Sequence, residues 1–113
     1  MQQPEDTRAG GETTSRWTFL TNHGHVLLTI AADPGIRARD IALRVGITER
    51  AAQRIVAELE AAGYLSRWRE GRRNHYEVHS DVQLRHPVEQ HHDVGQLLRL
   101  LSPNTAGKTA PDA

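Results

Sequence analysis

Residues Ile41 to Val78, IALRVGITERAAQRIVAELEAAGYLSRWREGRRNHYEV, encode a helix, a glycine stop, a second helix and an arginine-rich hairpin with nothing in between. Two helices that cross at a short turn need a small residue at the contact, a helix stop, and an apolar turn residue that locks the angle. Ala42, Gly46 and Ile47 occupy those three places. The order constrains the chain to a helix-turn-helix running into a basic hairpin, an α+β fold that is mainly α.

The periodicity extends this reading in both directions. Val26, Leu27, Ile30 and Ala31 make one stripe after Asn22 as the expected cap, so a first helix is expected over about 23–32, ended by Asp33-Pro34-Gly35. Ile36 and Arg37 suit a short strand before a second helix over about 38–45, whose start has no Ser, Thr or Asp cap but has Asp40 in its first turn. The third helix, over about 49–62, has Thr48 as N-cap, Ala52, Ile55, Val56 and Leu59 facing inward, and Gly63 as its left-handed stop. A hairpin over 64–79 turns near Glu70-Gly71, with Tyr76 and Val78 alternating inward. After His86-Pro87 a last helix is expected over about 88–101, with Val94, Leu97, Leu98 and Leu101 on one stripe and Gly95 allowing close backbone approach. Segments 1–15 and 103–113 are too poor in apolar residues to fold and are expected to be disordered tails.

Charge is unevenly spread. The whole chain of 113 residues is formally neutral, yet from Arg37 to Tyr76 nine arginines stand against five acids. A local basic excess on a helix and hairpin is the footprint expected of a polyanion-binding face. The absence of cysteine excludes disulfides and thiolate zinc sites. The start MQQPEDTRAGGETTS is polar and no apolar run approaches the length of a membrane span, so a cytoplasmic protein without membrane contact is expected. A domain this small buries only about 60 to 70 percent of its unfolded surface, which makes completion of the core by a second copy a reasonable expectation.

The same residues resemble the winged helix-turn-helix transcription regulators, in particular small bacterial ones of the MarR and ArsR type. LEAAGYLSRWREGRRNHYEV is similar to those families' passage from the recognition helix into the wing, and the likeness covers roughly residues 17 to 101. The resemblance implies a winged helix-turn-helix domain over 16–85 and a C-terminal dimerisation helix over 86–102, acting on double-stranded DNA as a homodimeric repressor. The chain departs from those families in having one clear flanking helix outside the core and no cysteine.

For DNA binding the candidate set is Thr48, Glu49, Arg50, Gln53 and Arg54 in the major groove, with Arg37 and Arg39 of the second helix on phosphate. Arg67, Arg69, Arg72, Arg73 and Asn74 of the hairpin are expected on the minor groove or the flanking backbone. Arginine can take guanine O6 and N7 with two hydrogen bonds, glutamine can do the same to adenine, and Glu49 can accept from a cytosine amino group. Glu58 and Glu60 are placed away from the groove, and Trp17, Phe19, Trp68 and Tyr76 are expected in core or wing packing rather than on bases. Val94, Leu97, Leu98 and Leu101 are the candidate dimerisation stripe.

His86, His91 and His92 with Glu89 and Asp93 invite a metal reading, but adjacent histidines on a helix point about 100 degrees apart. His23 and His25 are also poorly spaced, so no metal and no cofactor is expected. An enzyme is not expected, because no phosphate loop, nucleophile motif or carboxylate pair is present. Two other readings stay open: a winged-helix module that binds an acidic protein surface, and a sensor that responds to a metal or an unidentified small-molecule effector.

Overall fold

The computed structural model describes residues 17–102, so both segments expected as tails lie outside the described residues. The elements run α1 (Asn22–Ala32), α2 (Ala38–Val45), α3 (Glu49–Ala61), β1 (Leu65–Glu70), β2 (Arg73–Val78) and α4 (Val94–Leu101). This is the mainly helical α+β arrangement with one antiparallel hairpin that the periodicity implies.

Local chemistry sets some helix ends more firmly than others. Asn22 lies inside α1, and Thr21 is the N-cap without a side-chain bond to the helix. The α2 start is likewise uncapped by a side chain, and Asp40 stands in its first turn. Its end is sharp: Gly46 adopts φ 85° and donates to Ala42 O. Thr48 Oγ1 accepts from the Ala51 N–H at 3.0 Å and starts α3. At the other end Tyr64 N–H donates to Leu59 O and Gly63 N–H to Glu60 O, both at 3.0 Å. With Gly63 at φ 88° these form a complete Schellman stop, which an L side chain would strain.

The core sits where the inner faces of all elements meet. Val26 and Ile30 from α1, Ile41 from α2, Val56 from α3, Leu65 from β1 and Val94 from α4 are fully buried. The hairpin pairs Leu65 with Val78, Arg67 with Tyr76 and Glu70 with Arg73, leaving Gly71-Arg72 as its tip. Tyr76 is buried on the core side.

Two expectations about elements are corrected. Ile36 and Arg37 form no strand; the free edge of β2 is met by a single backbone bond, Tyr76 N–H to Pro34 O at 3.0 Å. The last helix begins at Val94, not near 88. Asp93 and Gln96 make a reciprocal capping box that starts it there. The preceding chain spends its backbone groups elsewhere: Leu84 N–H donates to His92 O, Val94 N–H to Val82 O and Gly95 N–H to Ser80 O. Residues 79–93 therefore close on themselves as a loop.

The α4 stripe is corrected too. Val94 belongs to the chain's own core, and Leu98 packs partly against it. The close approach expected at Gly95 is made within the chain, since a Cβ there would stand 3.0 Å from Ser80 Cβ and 3.1 Å from Ser80 O.

Candidate nucleic-acid interface

The turn between α2 and α3 leaves one side of α3 bare. Glu49, Arg50, Gln53 and Arg54 are all exposed, while Ala52, Ile55, Val56 and Leu59 are buried on the opposite side. Thr48 is exposed, with its hydroxyl oxygen engaged as the cap. Gln53 Nε2 donates to Glu49 Oε2 at 3.4 Å, one turn back. Arg54 Nη1 stands 3.6 Å from Glu58 Oε2.

Glu58, one turn beyond Arg54, borders this face. One of its oxygens accepts from His23 Nε2 of α1 at 2.7 Å, and the other meets Arg54. The His23 hydrogen bond, with help from Arg54, holds the Glu58 carboxyl below its ordinary pKa, although burial pulls the other way. Sequence spacing could not expose this link, because His23 and Glu58 lie on helices that only the tertiary fold makes neighbours.

The wing arginines separate by what they touch. Arg67 Nη2 donates to Glu60 Oε1 at 3.1 Å, tying β1 back to α3. Arg73 donates to the Gly35 carbonyl and ties β2 to the loop that leads into α2, close in sequence to the exposed Arg37 and Arg39. Arg69 reaches the Arg72 carbonyl at 3.5 Å across the tip. Arg72 is exposed at the tip, and Asn74 is half-buried. Among the described residues Arg39, Arg50 and Arg72 have no side-chain partner.

The aromatics do not behave as a group. Tyr76 is core, as expected, and Trp68 stacks on His75 with centroids 6.0 Å apart while remaining 44% exposed. Trp17 and Phe19 are corrected: they are 69% and 94% exposed and pack edge to face on each other at 5.2 Å. Among the described residues no three His, Cys, Asp or Glu side chains converge on one metal position.

Two further features escaped the sequence reading. His79 Nδ1–H donates to Gly63 O at 2.8 Å, so the neutral ring accepts the Ser66 hydroxyl at Nε2, 2.7 Å away. This pins the corner after α3 to the end of β2. The second feature is an open groove of about 740 Å³ between the α1 start, the α3 end, the 84–89 segment and α4. Phe19, Leu20, Leu59, Leu84 and Leu97 supply apolar wall, and His23, Glu58, Arg85 and Glu89 supply charge.

Residues 18–73 match the family model described as MarR family. Over this segment the chain is similar to the MarR family, and its helices and hairpin have the winged-helix arrangement. The MarR match takes in α1, α2, α3 and β1 and stops at the first residue of β2, leaving the 79–93 loop and α4 beyond it. Among solved structures, the chain is similar to the PcaV transcriptional regulator from Streptomyces coelicolor, determined in complex with its natural ligand, at 27% identity and a TM-score of 0.48. That similarity covers 53% of this chain and 45% of PcaV, so the chain spans less than half of that regulator's length. No curated protein matches the sequence.

Proposed function

We propose that this chain is a sequence-specific DNA-binding transcription regulator that acts as a homodimer and represses by occluding a promoter. The observation that carries the reading is the bare face of α3 in a MarR-type winged helix: Arg50, Gln53 and Arg54 point away from the core that the other side of the helix fills. In this reading the segment 16–85 engages DNA. Thr48, Glu49, Arg50, Gln53 and Arg54 enter the major groove, Arg37 and Arg39 contact phosphate, and Arg69, Arg72 and Asn74 of the wing meet the adjoining backbone or minor groove. Arg67 and Arg73 support the wing from Glu60 and Gly35 and reach phosphate only at its margin.

The homodimer is drawn from apolar surface that the fold leaves uncovered. Trp17, Phe19, Val88, Leu100 and Leu101 are exposed, and each lies in or next in sequence to elements bordering the large groove. Leu97, Leu98 and Leu101 remain the α4 contribution, without Val94.

Selection from a random duplex library tests the reading. Enrichment of a palindrome supports a dimeric regulator and reports its half-site spacing. Binding without enrichment, or none, favours the rival reading in which the basic wing holds an acidic protein surface. A second reading, that binding responds to a small-molecule effector, is favoured by one observation: the mixed apolar and charged groove beside α3.

A further inference from the structure

The wall of the large groove and the bare face of α3 share one side chain. Glu58 bridges His23 on α1, at 2.7 Å, and Arg54 on α3, at 3.6 Å. All three are about half exposed or more, so the bridge can open without unpacking the core. Resting on the reading of α3 as the DNA-contacting helix, we infer that His23 and Glu58 are positioning residues for Arg54, and that protonation of His23 releases Arg54 to DNA.

The coupling is one of charge around a single carboxylate. Because Nε2 faces Glu58, that nitrogen carries the hydrogen, and the proton that titrates is on Nδ1. While the ring is neutral, Arg54 is the full positive charge that Glu58 meets among the described residues. Drawing Arg54 into a major groove then leaves an uncompensated carboxylate beside phosphates. Once the ring is cationic, the His23–Glu58 pair is neutral as a unit and Arg54 leaves at less cost. Protonation of the ring therefore favours the DNA-bound form, and DNA binding tightens on acidification. By linkage, bound DNA makes His23 easier to protonate.

Other ionisable groups stand around His23. From the 84–89 segment Arg85 and Glu89 line the same groove with opposite charges, and Tyr64 lines it from the end of α3. On its own helix His25 is turned to Asn22 Oδ1. None of these bonds Arg54 or Glu58.

The experiment is a pH series of duplex dissociation constants at fixed ionic strength for the wild type, His23→Gln, Glu58→Gln and Arg54→Ala. Gln at 23 keeps a donor but cannot titrate. Acidification should strengthen wild-type binding by about threefold more than it strengthens binding of His23→Gln, the scale of one exposed ion pair. That difference should vanish when His23→Gln is placed in the Glu58→Gln or Arg54→Ala background. In parallel, the His23 imidazole followed by NMR should titrate at higher pH with duplex bound in the wild type, and show a smaller change in Arg54→Ala. An identical pH response in the wild type and His23→Gln overturns the inference while leaving the regulator reading intact. So does a His23-dependent response that survives loss of Arg54. Failure of every variant and the wild type to bind any duplex overturns both.

Discussion

Gly95 and Tyr64 show how single positions hold this fold. Gly95 lets the first turn of α4 rest on Ser80, and its N–H bonds the Ser80 carbonyl at 2.8 Å. An added methyl would crowd Ser80 Cβ and the Ser80 carbonyl oxygen, neither of which can swing aside, as well as the movable Arg99 guanidinium. Gly95→Ala should therefore destabilise the protein by about 1–3 kcal/mol despite the better helix propensity of alanine, read as a lower urea midpoint with an unchanged slope. Tyr64 is buried with its hydroxyl donating to Gln83 O at 3.3 Å. Burial holds its phenol above the ordinary value, with Arg85 opposing and Glu89 adding to the effect. A pKa raised in the folded state means that this contribution is complete below the unfolded phenol value of about 10 and lost as pH rises through the folded value. Alkaline unfolding should accordingly be delayed in Tyr64→Phe relative to wild type when each is compared with its own neutral-pH stability.

The hairpin illustrates how one element combines two jobs that look identical in sequence. Four arginines flank its tip, but Arg67 and Arg73 are engaged by Glu60 and Gly35, whereas Arg72 stands exposed at the turn. The wing is thereby braced on both sides, from α3 through β1 and from the α1–α2 loop through β2. Salt dependence should separate the roles. Arg72→Ala should lower the magnitude of the log–log salt slope of DNA binding by about 0.9, the loss of one phosphate contact. Arg67→Ala should change that slope by much less and lower thermal stability, because the charge it mainly neutralises belongs to α3. A slope unaltered by Arg72→Ala removes the wing tip from the interface.

For the whole molecule the apolar surface is the informative quantity. The core is continuous from α1 through α4, yet Phe19, Trp17, Val88, Leu100 and Leu101 remain outside it. A second copy covering that surface would complete what one small domain cannot bury. Sedimentation at micromolar concentration should give the mass of two chains, and Phe19→Asp together with Leu101→Asp should give one chain with its helical content retained. A monomeric wild type defeats the homodimer and leaves the fold untouched.

Most of this architecture was legible in the chain because its signals are local. A cap such as Thr48, a stop such as Gly63 and an apolar repeat such as Ala52-Ile55-Val56-Leu59 act within one or two helical turns, so they can be read without knowing what lies across the core. The α4 start was misread for the complementary reason: Pro87 and Val88 suggested an earlier helix, but the backbone donors of residues 84, 94 and 95 were claimed by partners ten residues or so away. The same limit applies to the candidate site. Periodicity exposed the bare face of α3, whereas the assignment of Val94 to the core, the division of labour among the wing arginines and the His23–Glu58–Arg54 bridge required the fold. Those contacts join residues remote along the chain, and their distances are set by how helices and hairpin pack rather than by any spacing within them.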